Sequence, residues 1–129
     1  METYYITTDL DLESKNDLQT LADNATGEML VHFCGMADGL YRATFGSAAN
    51  EANEDDAITL FCNFAEALGA EDRKVWDSCS KIAFNLGYEA GDAPSTWRSN
   101  LSSGSIARIA NLGGEIIVTI YQHGESVDA

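Results

Sequence analysis

His32 and Cys34 stand two apart in the stretch EMLVHFC. On an extended strand that spacing puts both side chains on one side. A thiol within hydrogen-bond reach of an imidazole is a candidate nucleophile with its base. The same two residue types bind zinc, but zinc wants four ligands, and no C-x-x-C or H-x-x-x-H accompanies them. His123 is remote in sequence. The other reading of Cys34 is a small buried side chain with no reactivity. Cys62 differs, because it projects off the apolar stripe expected of its helix and reads as a surface thiol.

Carboxylates offer the next chemistry. DLDLE spaces Asp9, Asp11 and Glu13 two apart. Calcium loops use such spacing because each oxygen must point at one hard cation. Here leucines interrupt, the required sixth-position glycine is Ser14, and the twelfth position is Thr20 rather than a bidentate acid. Solvated carboxylates on a strand end are the better reading, and no metal site is expected. Glu51, Glu54, Asp55 and Asp56 crowd four acids into six positions. Asn53 is a good helix cap, and acids in a first helical turn favour its unpaired N–H groups by about 0.3–1 kcal/mol each. That knot is helix punctuation first and a candidate interaction patch second, with Glu51 left over before the cap. In the loop 90–102, Trp97 and Arg98 are adjacent, as in many binding hot spots. Against that, Trp97 could fold back on the core while Arg98 pairs with an acid. No G-x-G-x-x-G, G-x-x-x-x-G-K-[ST] or G-x-S-x-G occurs, so no cofactor is implied.

The charge balance limits the partners. The 129 residues carry 21 acids against seven Lys and Arg, a net of −14. Residues 1–66 hold thirteen of the acids with only Lys15 and Arg42, a net of −11. Such a surface repels nucleic acid and anionic membrane. It steers a basic protein surface toward itself, faster at low salt. Solubility alone is the plainer account of the same charge. A hydrophobic content of 45% excludes a disordered acidic tail. No apolar run of about 18 residues is present, and METYYITTDL lacks the plan of a signal peptide. Three cysteines without close pairing suit a reduced, cytoplasmic setting.

The elements that must position these residues follow from periodicity. TYYITTDL (3–10) alternates as a strand, with Tyr4, Ile6 and Leu10 on one side. Ser14 and Asp17 read as the start of a helix carrying Leu18, Leu21, Ala22 and Ala25, ended by Gly27. Residues 28–34 and 40–46 read as strands joined by an Asp-Gly turn, a hairpin. Asn53 opens a helix whose stripe is Ala57, Leu60, Phe61, Phe64, Ala65 and Leu68, closed by Gly69. Residues 71–79 suggest a short helix with Val75 and Trp76 as its contacts. Ile82, Phe84, Leu86 and Tyr88 share one face of a strand. A helix with Ile106, Ile109 and Ala110 precedes Gly113–Gly114. EIIVTIYQ (115–122) is apolar at nearly every position and reads as a central strand.

The order β-α-β-β-α-(α)-β-α-β predicts a two-layer α+β domain over 1–123, with 124–129 a flexible C-terminal tail. Its mixed five-stranded sheet would carry helices mainly on one face. The other face would present Asp9, His32, Cys34, Arg42, Thr44, Asn85, Glu89, Glu115, Thr119 and Tyr121. A start of β-α-β-β-α-β matches RNA-recognition domains in order, but their basic surface and ring-bearing motifs are missing.

From Trp76 through FNLGYEAG (84–91) to SIARIANLGGEIIVTIY (105–121), the chain resembles the C-terminal part of a family of small bacterial proteins of unknown function. That family carries a Trp before a F-[DN]-[IL]-G-x-x-[AS]-G strand, then a helix ending L-G, then a strand ending in Tyr. The resemblance implies packing and no catalytic residue. In a general way the chain is similar to acidic bacterial immunity proteins and phage-encoded inhibitors. The expectation is a non-catalytic, cytoplasmic inhibitor without cofactor or metal. It would occupy a basic surface of a partner such as a nuclease or another nucleic-acid-binding protein. Asp9, Asp11, Glu13, Glu51, Glu54, Asp55 and Asp56 would steer, Trp97 and aromatic groups on the open sheet face would pack, and Arg98 would join Trp97 in binding the partner. The alternatives are a small enzyme using Cys34 and His32, and a homodimeric scaffold.

Overall fold

Leucines and carboxylates alternate along the first strand, β1 (Tyr4–Ser14), and the alternation divides the molecule. Thr8, Leu10 and Leu12 are buried, while Asp9, Asp11 and Glu13 face the other way, as a two-residue repeat requires. The computed structural model describes residues 1–48, 53–93 and 96–122. After β1 come α1 (Gln19–Asp23), β2 (Met29–Ala37), β3 (Leu40–Ser47), α2 (Glu54–Glu66), α3 (Ala70–Asp77), β4 (Lys81–Glu89), α4 (Ser103–Asn111) and β5 (Glu115–Tyr121). This is the expected α+β order. The five strands form one mixed sheet in the order β2-β3-β1-β4-β5, antiparallel except for the parallel β4–β5 pair. Glu51, Pro94, His123 and the tail expected at 124–129 lie outside the described residues.

One face of the sheet meets the helices in a core. Leu10, Leu12, Ala43, Phe45, Ile82, Phe84, Leu86 and Tyr88 supply the sheet side; Leu21, Ile58, Phe61, Cys62, Ala65, Trp76 and Ile109 supply the helix side. Trp76 is fully buried, and its indole N–H donates to the Leu112 carbonyl at 3.0 Å. The Asp-Gly turn forms as expected. Asp38 (φ 54°) and Gly39 (φ 83°) are both left-handed, which suits a two-residue hairpin between β2 and β3.

Several sequence expectations are corrected. β1 extends through Ser14, so Ser14 ends a strand instead of opening a helix, and Asp17 accepts from the Gln19 N–H at 2.8 Å. A bulge between Tyr5 and Thr7 shifts the register on β4. Tyr5 therefore faces Tyr88 on the core side, and Tyr4 and Ile6 do not share Leu10's face. Cys62 is fully buried, not a surface thiol, because α2 turns Ala57, Ile58, Phe61, Cys62 and Ala65 inward. Leu60, Phe64 and Leu68 lie half-buried at the flank of that stripe. β5 is an edge strand, not a central one.

Candidate functional site

Among the described residues, no helix covers the second face of the sheet. The strand registers place on it Asp9, Asp11 and Glu13 from β1, Arg42 and Thr44 from β3, Lys81, Asn85 and Glu89 from β4, and Glu115, Thr119 and Tyr121 from β5. Five carboxylates thus share the face with two permanent cations. One of these, Arg42, is engaged with Glu13 at 2.9 Å. Lys81 draws the Asp11 carboxyl down, but burial pushing it up is the larger effect.

A chain of side-chain hydrogen bonds crosses four strands here. The Thr119 hydroxyl donates to Asn85 Oδ1 at 2.8 Å, and Asn85 and Thr44 both bond to the Asp11 carboxylate. Beside this chain, Ile6, Thr7, Asp9, His32, Ser47, Asn85, Gly87 and Tyr121 line a concavity of about 410 Å³. Asp9 is half-buried in it, with no Lys or Arg paired to it among the described residues. Partial burial pushes its carboxyl above the usual range, and the neighbouring Asp11 pushes it further, against a smaller pull from His32. Because the folded value lies above the unfolded one, the stabilising contribution is present at acid pH. It is lost as pH rises through the folded value. Ionised Asp9 therefore costs stability at neutral pH. Asp9→Asn is expected to raise unfolding stability at pH 7 by about 0.5–2 kcal/mol. The gain should vanish near pH 3, as read by denaturant titration at both pH values.

The bulge at His32 decides the fate of the Cys34–His32 pair. The β2–β3 register slips between Val31 and Phe33, so Cys34 lies opposite buried Ala43 and packs on the core. His32 lines the concavity on the open face. Their expected common side is lost, and Cys34 does not join the open face. Burial also pushes all three thiols up, Cys62 and Cys79 to about 11, which is the wrong direction for a nucleophile. Among the described residues, no group of three or more His, Cys, Asp or Glu converges as a metal site would need.

The acids of α2 lie on the helix side of the sheet, away from Asp9, Asp11 and Glu13. Asn53 caps the helix, accepting from the Asp56 N–H at 3.1 Å. Glu54 is buried, accepting from the Tyr88 hydroxyl at 2.8 Å and from the Ser99 hydroxyl. Asp55 accepts from the Ser102 N–H at 3.1 Å and from the Ser105 hydroxyl at 2.7 Å, which hold its carboxyl below the usual range. These two carboxylates fasten the 96–102 segment and α4 to α2; Asp56 remains exposed. Trp97 rests edge-on against Tyr88 at 5.3 Å and stays 38% exposed. Arg98 makes no ion pair among the described residues. Both border a hollow of about 240 Å³ with Val118 and Ile120. The sequence treated the α2 acids and Trp97 as separate features; the fold joins them through Tyr88.

No described helix is long and apolar enough to cross a membrane. No family model, curated protein or solved structure matches the chain.

Proposed function

We propose that this chain is a non-catalytic binding protein that lays the open face of its sheet on a basic surface of another protein. By occupying that surface it acts as an inhibitor, of the immunity type or the phage-encoded anti-defence type. A nuclease, or another protein that binds nucleic acid, offers the cationic groove this face would fill. The observation that carries the reading is Asp9 beside Asp11. These are two partly desolvated carboxylates on an uncovered face, and the first lacks a paired Lys or Arg among the described residues. A cation brought by a partner would relieve that cost and would find the neighbouring carboxylates already aligned.

The wider steering set expected from the sequence contracts under this reading. Glu54 and Asp55 are hydrogen-bonded inside the fold and Glu13 is paired with Arg42, so Asp9 and Asp11 lead the electrostatics of the open face, with Glu13 beside them. Capture from the native host followed by mass spectrometry tests it. At low salt a basic protein should be retained. At several hundred millimolar salt retention should fall, because charges beyond the roughly 3–10 Å screening length stop interacting. Reversing Asp9, Asp11 and Glu13 to Lys should slow association about 10-fold or more. Retention unchanged by both salt and the triple reversal would end the proposal.

A further inference from the structure

β5 is a regular, exposed edge of the sheet. Its register on β4 runs from Glu115 to Tyr121 without a bulge. Its only charge is Glu115, at its first residue. Natural edges are usually blunted by charges, prolines or bulges. The opposite edge, β2, has such a bulge at His32.

The same three residues of β5 expose both its apolar side chains and backbone groups that pair with no second strand among the described residues. Ile116, Val118 and Ile120 lie opposite Phe84, Leu86 and Tyr88, on the helix side. The helix layer stops short of them, leaving them 37%, 55% and 63% exposed. The Ala90 N–H donates to the Tyr121 carbonyl at 2.8 Å, so Tyr121 turns its backbone toward β4. Backbone direction alternates along a strand. Ile116, Val118 and Ile120 therefore present N–H and C=O away from the sheet.

We propose that β5 pairs antiparallel with β5 of a second copy of this chain, about a two-fold axis through Val118. The strand is self-complementary in that register. Val118 faces its own counterpart, and Ile116 faces the second copy's Ile120. These residues alternate with the inward-turned ones, so the ladder holds about six backbone hydrogen bonds. Opposed side chains in an antiparallel pair share a face. Both apolar rows then meet between the two helix layers, which neither copy can achieve alone. Trp97 of each copy borders the same strip.

The register symmetric about Val118 selects a second copy as the occupant, and the local charge allows it. Two chains of −14 repel each other over most of their surfaces. Residues 96–122 are one of the exceptions, with Arg98 and Arg108 against Glu115, Arg108 being paired with Glu66 at 2.6 Å. Like chains can approach along this strip without a strong electrostatic penalty. The open face stays free on the other side, so failure of this pairing would leave the reading of Asp9 and Asp11 untouched.

Light scattering on the full chain over a wide concentration range tests the proposal. The expected mass is twice 13.9 kDa. Ile116→Lys alone, or Ile120→Glu alone, should weaken association at least about 10-fold. The double variant should restore it, because each lysine then faces the other copy's glutamate. Phe33→Lys, at the β2 edge, should leave the mass unchanged. Circular dichroism checks that each variant folds. A wild-type chain at single mass throughout would overturn the proposal; that result would point to a strand from a different protein. Failure of the double variant to recover, or dissociation by Phe33→Lys, would overturn it as well.

Discussion

Trp76→Ala should cost about 3–5 kcal/mol of unfolding free energy, the range for emptying a large aromatic site in a packed core. The indole is fully buried at the end of α3, among the side chains that join the helices to the sheet. Its N–H also ties α3 to the end of α4 through the Leu112 carbonyl at 3.0 Å. Small domains have only about 5–15 kcal/mol in total, so about a fifth or more of the stability should go. The thermal midpoint should fall by roughly 10–20 °C. Trp76→Phe keeps a ring but removes the donor, and should cost about half as much. Denaturant titration of the three proteins checks both figures. A loss below about 1 kcal/mol for the alanine variant would mean that the site collapses without a cavity.

Glu54→Ala should cost about 2–3 kcal/mol, because it strips a charged acceptor from two hydroxyl groups at once. Tyr88 is buried and would keep a hydroxyl with no carboxylate to bond. Ser99 would lose its hold on α2, and Trp97 would lose the support of a fixed Tyr88 ring. The ionisation of Tyr88 gives a second readout. Burial, then the hydrogen bond and charge of Glu54, push its phenol from 10.0 up to about 12. A folded value above the unfolded one stabilises the fold fully below pH 10. That contribution is lost between pH 10 and about pH 12. In Glu54→Ala the tyrosinate absorbance of Tyr88 should emerge at lower pH. An unchanged tyrosine titration would separate Glu54 from Tyr88.

The order of elements was readable because each rests on local signals. The Asp38–Gly39 turn, the Asn53 cap and the alternation from Ile82 to Tyr88 act within a few residues and survive in the fold. What the sequence concealed depends on distant partners. Glu54 reads as an ordinary first-turn acid, because its donors lie 34 and 45 positions away. The bulges at Ile6 and His32 change which side chains share a face, and no residue type in either strand announces them. β5 reads as central because both of its faces are apolar, yet it forms an edge whose helix-side row stays exposed. The three acids of β1 were visible as a spacing. That they lie on the face opposite the α2 acids follows only from the sheet.

Thr119, Asn85, Asp11 and Thr44 are linked in series from the outermost strand β5 across to β3. Asn85 spends its carbonyl oxygen on Thr119, so its amide nitrogens are the groups left for Asp11. Thr119 and Asp11 thereby fix the same orientation of that amide from its two ends. Replacing Thr119 with valine would leave the Asn85 oxygen without this donor, while the Asp11 carboxylate, which only accepts, still holds the amide nitrogen. Asp11, two strands away, is thus backed by a group on the outermost strand that it does not touch.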